Sequence, residues 1–247
     1  MAFPHLSALT GPQPVATLDS ATLFELQDAL ARLGYPIAKI DGEFGPNTRG
    51  AWAEFKTDVF SGNPDLIAAD SVAVLLQKVQ QLEAIEASDQ SSKPAVIGAI
   101  NAECQALDLG LKTQIAYVAA TTQWETAQTF KPVKEAYWND EAWRKAHLHY
   151  YPYYGRGYVQ LTWVTNYQKY SDILGLDLVN NPDLALDPKV ALFVLVHGFK
   201  TGTFTGRKIT DYITASQTDF VDARRCINGT DKASEIAKLA QSFMTTL

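Results

Sequence analysis

One stretch divides this chain before any other property is weighed. Across residues 83–94 the apolar periodicity fades, and Glu86-Ala87-Ser88-Asp89-Gln90-Ser91-Ser92-Lys93-Pro94 is polar and rich in breakers, the composition of a linker rather than of a packed element. Apolar residues at helical spacing lie on both sides of it. A chain of 247 residues interrupted there has room for two unequal domains. The expected organisation is an N-terminal extension over 1–19, a first domain over 20–82, a linker over 83–94 and a second domain over 95–247.

Within the first domain three helices are expected. Ser20 precedes Leu23, Leu26, Leu30 and Leu33, with Gly34 placed to stop the helix; Ala51, Trp52, Phe55 and Val59 share one helical face after a turn-rich loop; and Val72, Leu75, Leu76, Val79 and Leu82 mark a third helix starting near Ser71. In the second domain residues 96–107 and 115–124 read as helices separated by Gly110, and residues 233–243 as a closing helix. An aromatic loop over 150–158 and a turn at Asn180-Asn181-Pro182-Asp183 lie between them, and only 157–162 suggests a short strand. The expected fold class is mainly α.

Composition narrows the function classes. With 47% hydrophobic and 19% charged residues the chain can build packed cores. A formal net charge of -6 with scattered Lys and Arg offers no phosphate-neutralising surface, so no nucleic-acid partner is expected. No run approaches the roughly 20 apolar residues of a membrane helix, and the first fifteen residues lack a basic segment followed by an apolar one. No membrane insertion and no signal peptide are therefore expected. Cys104 and Cys226 are far apart and read as buried free thiols. Of the four histidines, His5, His147, His149 and His197, none falls into a His-Glu-x-x-His or Cys-rich spacing, so neither a metal nor another cofactor is implied.

Two resemblances then give the chain a direction. The segment Leu26-Gln27-Asp28-Ala29-Leu30, Leu33-Gly34-Tyr35 and Asp41-Gly42-Glu43-Phe44-Gly45-Pro46-Asn47-Thr48-Arg49 resembles the peptidoglycan-binding domain of wall hydrolases. The second Asp-Gly-x-x-Gly repeat often seen in that family is replaced by Asn63-Pro64-Asp65-Leu66. The second domain resembles the family 19 chitinase-like branch of the lysozyme superfamily, in the compact form used by phage endolysins. Four pieces carry that likeness: Trp124-Glu125-Thr126-Ala127 with 130–135; Tyr154-Gly155-Arg156-Gly157-Tyr158-Val159-Gln160-Leu161-Thr162-Trp163 with Asn166-Tyr167; Asn180-Asn181-Pro182-Asp183-Leu184; and 223–229.

The resemblance implies a three-helix binding domain joined to an α-helical lysozyme-like glycoside hydrolase. Such an enzyme needs one carboxyl group to protonate the departing oxygen and a second to activate water. Glu125, at the end of an apolar helix where desolvation favours the protonated form, is the expected general acid. Glu135, following Lys131 and Lys134, matches the second carboxylate and is the expected base, with Glu141 a competitor. By the same resemblance Thr162 positions the attacking water, and Gln160, Asn166, Arg156, Tyr154 and Asn228 bind substrate, a structural role being equally open for Arg156 and Asn228. Of Tyr150, Tyr151, Tyr153, Tyr154 and Tyr158, one or two are expected to touch ligand. The family commonly has His before the acidic glutamate; Trp124 stands there, where an indole would desolvate the acid.

The expected activity is hydrolysis of the β-1,4 bond between MurNAc and GlcNAc by a monomeric, lysozyme-like enzyme whose partner is bacterial peptidoglycan. It would reside in the host cytoplasm before release and act at the wall. A chitinase is the enzymatic alternative, and a non-catalytic wall-binding protein the alternative of a different class.

Overall fold

The computed structural model describes residues 2–60 and 62–247. The chain divides into two compact units, residues 1–83 and 84–247, and its regular structure is mainly α-helical.

The first unit is built on α1 (Pro4–Ser7), α2 (Ser20–Arg32), α3 (Pro46–Val59) and α4 (Ala69–Glu86), the last running into the second unit, with a two-residue pairing of β1 (Gln13–Pro14) and β2 (Leu66–Ile67). The opening residues, expected to be irregular, join its core through Leu6 and Val15. Asp19, one residue earlier than expected, caps α2 by accepting from the Thr22 amide at 2.9 Å, satisfying a donor the helix leaves free. Leu23, Leu26 and Leu30 are buried with Trp52, Phe55, Val72, Leu75, Val79 and Leu82, each such side chain contributing roughly 1.5–3 kcal/mol.

The Asp-Gly-x-Phe-Gly-Pro stretch has a clear mechanical reason. Gln27 Oε1 accepts from the amides of Asp41 and Gly42, while its Nε2 donates to Asp41 Oδ1, the Glu43 carbonyl and Thr48 Oγ1. One buried amide thus fixes the whole loop against α2. Gly42 has φ +72, and a Cβ there would stand 2.5 Å from the Ser20 carbonyl oxygen, so both conformation and space demand glycine. Gly45 then opens α3, with Pro46 at its first position.

The second unit carries α5 (Lys93–Ala106), α6 (Lys112–Glu125), α7 (Glu141–His147), α8 (Val164–Leu174), α9 (Pro188–Thr201) and α10 (Ala233–Thr246). Helix α6 is its axis. Every residue from Gln114 to Thr122 is buried, so the helix is covered on all sides, packed mainly by α10 and α5. Helix α9 is buried from Val190 to Phe199; a Cβ on Gly198 would fall 2.1 Å from the Phe204 ring, so this glycine permits close packing. The expected strand over 157–162 is shorter and earlier: β3 (Val133–Lys134) pairs antiparallel with β4 (Arg156–Gly157), and Arg156 bridges back to Leu161. This small hairpin sets the segment 155–163 beside Glu135. Among the described residues no helix is long and apolar enough to cross a membrane.

Candidate active site

A cleft of about 360 Å³ opens in the second unit. Its polar lining is Glu125, Glu135, Gln160, Thr162, Asn166, Arg224 and Asn228, set among Tyr150, Val159, Trp163, Phe204 and Ile227. Six residues singled out from sequence, Glu125, Glu135, Thr162, Gln160, Asn166 and Asn228, therefore meet around one concavity, although they come from widely separated stretches of chain.

Glu125 is the last residue of α6. The turn after it is tight: Ala127, Gln128 and Phe130 all have positive φ, and the buried Thr126 hydroxyl donates to the Thr122 carbonyl while accepting from the Phe130 amide. The carboxylate is anchored by Arg224, whose guanidinium meets Glu125 Oε1 at 2.6 Å, the arginine and glutamate side chains being 4% and 17% exposed. Arg224 is itself fixed by donating to the Asp231 carbonyl at 3.0 Å. Oε2 of Glu125 has no protein partner among the described residues. The indole expected to desolvate this carboxyl group is elsewhere: Trp124 lines a separate groove with residues of α10.

Glu135 is mounted differently. Tyr150 donates to Oε1 at 2.6 Å and the Gly155 amide to Oε2 at 2.9 Å, so each oxygen carries one hydrogen bond and keeps a further lone pair. The backbone is held as well, with the Glu135 amide donating to the Gly155 carbonyl at 2.7 Å and Arg144 donating to the carbonyls of Glu135 and Ala136. Burial first, then the hydrogen bond and charge of Glu135, push the Tyr150 hydroxyl up to about 12, so it remains a donor across the ordinary pH range. Lys134 does not serve Glu135 as expected; its ammonium lies 2.7 Å from Asp183. Glu141, the competing carboxylate, is outside the cleft, accepting from Tyr154 and Arg144.

The remaining lining residues form a connected wall. Thr162 donates its hydroxyl proton to the Gln160 carbonyl at 2.8 Å, so its oxygen faces the cleft as an acceptor. Asn166 donates to the Thr162 carbonyl at 2.9 Å and Gln160 to the Val133 carbonyl at 3.1 Å. At Gly155 a Cβ would sit 2.6 Å from Gln160 Oε1, so a larger residue would push the Gln160 side chain aside.

Arg156 and Tyr154 are not among the residues lining the cleft and make contacts beneath it. Arg156 is 3% exposed, lies over the Tyr154 ring at 3.7 Å, and donates to the carbonyls of Pro152 and Tyr154, to Tyr167 and to Asp183. Asp183 accepts from both Arg156 and Lys134, so the Asn-Pro-Asp turn and the β3–β4 hairpin are clamped by one carboxylate. Although partial burial works the other way, these two cations hold the Asp183 carboxyl below its ordinary range. Of the five tyrosines considered, Tyr150 alone lines the cleft.

Sequence reasoning passed over Arg224 and Trp163 as functional residues. Trp163 is half-exposed, has φ +76, and meets Tyr150 and His149 edge-on at 5.1 and 5.5 Å. Both residues lie inside stretches already quoted for the family likeness, which was the only available signal. Both cysteines are buried, and burial drives the Cys104 thiol well up and the Cys226 thiol to about 12, away from a reactive thiolate.

Comparison with known proteins bears on this unit. Residues 134–218, which lie within the second unit, match the glycoside hydrolase family 19 model, described as chitinase class I. The chain is similar to Chitinase 11 of Oryza sativa subsp. japonica, 47% identical over 74 residues, covering 30% of this chain and 29% of that protein. It is also similar to Inactive chitinase-like protein 1 of Hevea brasiliensis, 54% identical over 41 residues, covering 17% of this chain and 13% of the relative. In both cases the chain spans less than a third of the relative's length. Among solved structures, chitinase C from Streptomyces griseus HUT6037 aligns with a TM-score of 0.44 and 20% identity over 69% of this chain and 68% of that one.

Proposed function

We propose that the protein is an endolysin-type glycoside hydrolase that cuts the β-1,4 bond between MurNAc and GlcNAc of bacterial peptidoglycan. The observation that carries a hydrolytic reading is the meeting of Glu125 and Glu135 in one cleft with Thr162, Gln160, Asn166 and Asn228. The family match alone is insufficient support, since one relative is named inactive and Glu125 lies outside residues 134–218.

In the proposed mechanism Glu125 is the general acid. Arg224 engages only Oε1, leaving Oε2 to carry a proton to the glycosidic oxygen as the bond to the anomeric carbon breaks. Glu135, steadied by Tyr150 and the Gly155 amide, takes one proton from the water that attacks that carbon, and the Thr162 oxygen accepts a hydrogen bond from that water's other O–H, which stays on the new hydroxyl, to orient it. The departing sugar leaves with a hydroxyl group and water supplies the new one. Asn228, whose side chain makes no hydrogen bond among the described residues, is available to the N-acetyl groups common to peptidoglycan and chitin.

The choice of peptidoglycan rests on the first unit, whose Gln27-stapled Asp-Gly-x-Phe-Gly-Pro loop matches the sequence pattern of wall-binding domains. The protein would act as a single chain, reaching the wall after release from the host cytoplasm. A chitinase is the second reading, favoured by the family match and the names of the relatives. Digestion of purified sacculi and of colloidal chitin under identical conditions separates the two. Faster solubilisation of sacculi is expected; cleavage of chitin alone establishes the second reading, and binding to sacculi without release of fragments from either polymer removes the hydrolytic one.

A further inference from the structure

Helix α6 is buried from Gln114 to Thr122 and surfaces again in its last turn, where consecutive residues enter two different concavities. Glu125 enters the cleft; Trp124 enters a separate groove of about 450 Å³ between the end of α6 and α10. Successive helical residues point about 100° apart on a cylinder about 10 Å across, so the two openings lie on adjoining faces of one element. The groove floor is apolar, with Trp124, Ala127 and Leu239, and its rim carries Gln128, Glu235 and Lys238.

These groups are uncommitted to the fold in a way the core is not. Trp52, for contrast, is fully buried and donates its indole N–H to the Leu66 carbonyl. Trp124 is 36% exposed, with no ring partner and no hydrogen bond from its indole among the described residues. Glu235 is occupied by Lys232 at 3.5 Å, which leaves Lys238 on the next turn of α10 as the cation of the rim, without an acidic partner among the described residues. An open indole face, a side-chain amide and an unpaired ammonium together suit a pyranose ring bearing an amide and a nearby carboxylate. Chitin supplies the first two. Peptidoglycan, with its lactyl-linked peptide carboxylates, supplies all three.

We infer that the Trp124 groove is a second binding site for a peptidoglycan strand, distinct from the cleft and presented by the same helix end. The inference rests on the peptidoglycan reading of the proposed function. A site so near the cleft raises the effective concentration of polymer at Glu125 and gives nothing to a substrate too short to occupy both. The test compares Trp124→Ala and Lys238→Ala with the wild type in two assays: retention on insoluble sacculi, measured in a Glu125→Gln background to prevent digestion, and hydrolysis of sacculi against a soluble muropeptide tetrasaccharide.

Retention is expected to fall about tenfold for Trp124→Ala and severalfold for Lys238→Ala, with loss of activity on sacculi exceeding any loss on the tetrasaccharide by at least fivefold. Unchanged retention, or equal losses on both substrates with no loss of retention, overturns the inference. An equal retention loss of Lys238→Ala on sacculi and on insoluble chitin also overturns it, since the ammonium would then have no carboxylate to read. Because retention is measured without turnover, failure of the hydrolytic reading would leave this result interpretable.

Discussion

Glu125 and Glu135 face the same cleft from unlike mounts. Glu125 hangs from the end of a largely buried helix and is tied by one arginine to one of its oxygens. Glu135 sits in a loop and is held at both oxygens by neutral donors, with its backbone clamped by Gly155 and Arg144. The difference suits the two proposed roles. An acid must keep one oxygen free to carry a proton, whereas a base must be oriented as a carboxylate before water arrives, and hydrogen bonds to the charged form do that. Both mounts are rigid, but one leaves an oxygen open and the other engages both.

The sharpest way to break this comparison is to remove each carboxyl group in turn. Glu125→Gln is expected to lower hydrolysis about 10³-fold with an unchanged thermal unfolding curve, because it removes the group proposed to protonate the leaving oxygen. Glu135→Gln is expected to cost about 10²-fold, and added azide, a small external nucleophile, should restore part of that loss but none of the loss in Glu125→Gln. Equal effects and equal rescue would erase the distinction between the two mounts.

A milder change sharpens it. Tyr150→Phe removes one of the two bonds to Glu135 and should lower kcat about tenfold, the order expected for a hydrogen bond to a charged group. With the folded value of Tyr150 raised above its ordinary value, its contribution to stability is complete below about pH 10 and is lost as pH rises through about 12. Melting temperatures of wild type and Tyr150→Phe should therefore converge on the alkaline side. The smallest expected effect concerns the support beneath Glu135. Asp183 is held below its ordinary range, so its contribution is present above that range and is lost as pH falls through the lowered value. Asp183→Asn should lower the melting temperature slightly at pH 7 and weaken the acid dependence below about pH 4.

Much of this was legible in the chain. Helical spacing marked α2, α3, α4, α5, α6 and α10, because each buries an apolar stripe or is wholly buried, and the glycines and prolines at their ends have local causes. The family likeness, rather than spacing, pointed to Glu125, Glu135, Gln160, Thr162, Asn166 and Asn228. What escaped were pairings across long sequence separation. Arg224 meets Glu125 99 residues away, and nothing local in Arg224-Arg225 tells which guanidinium turns inward. Lys134, adjacent to Glu135 in sequence, turns to Asp183 49 residues on. Arg156 and Tyr154 were expected at the substrate from the family likeness alone, and the chain gives no local sign that both side chains are buried. Trp124 shows the same limit, since adjacency to Glu125 along a helix places it on another face.

The most direct test of the central claim is mass spectrometry, with reducing-end labelling, of fragments released from purified sacculi by the wild type and by Glu125→Gln. The account predicts muropeptides with a new reducing MurNAc from the wild type and none from the variant. Release of the same fragments by Glu125→Gln at a near-normal rate, or sacculi returned intact by the wild type, would contradict it.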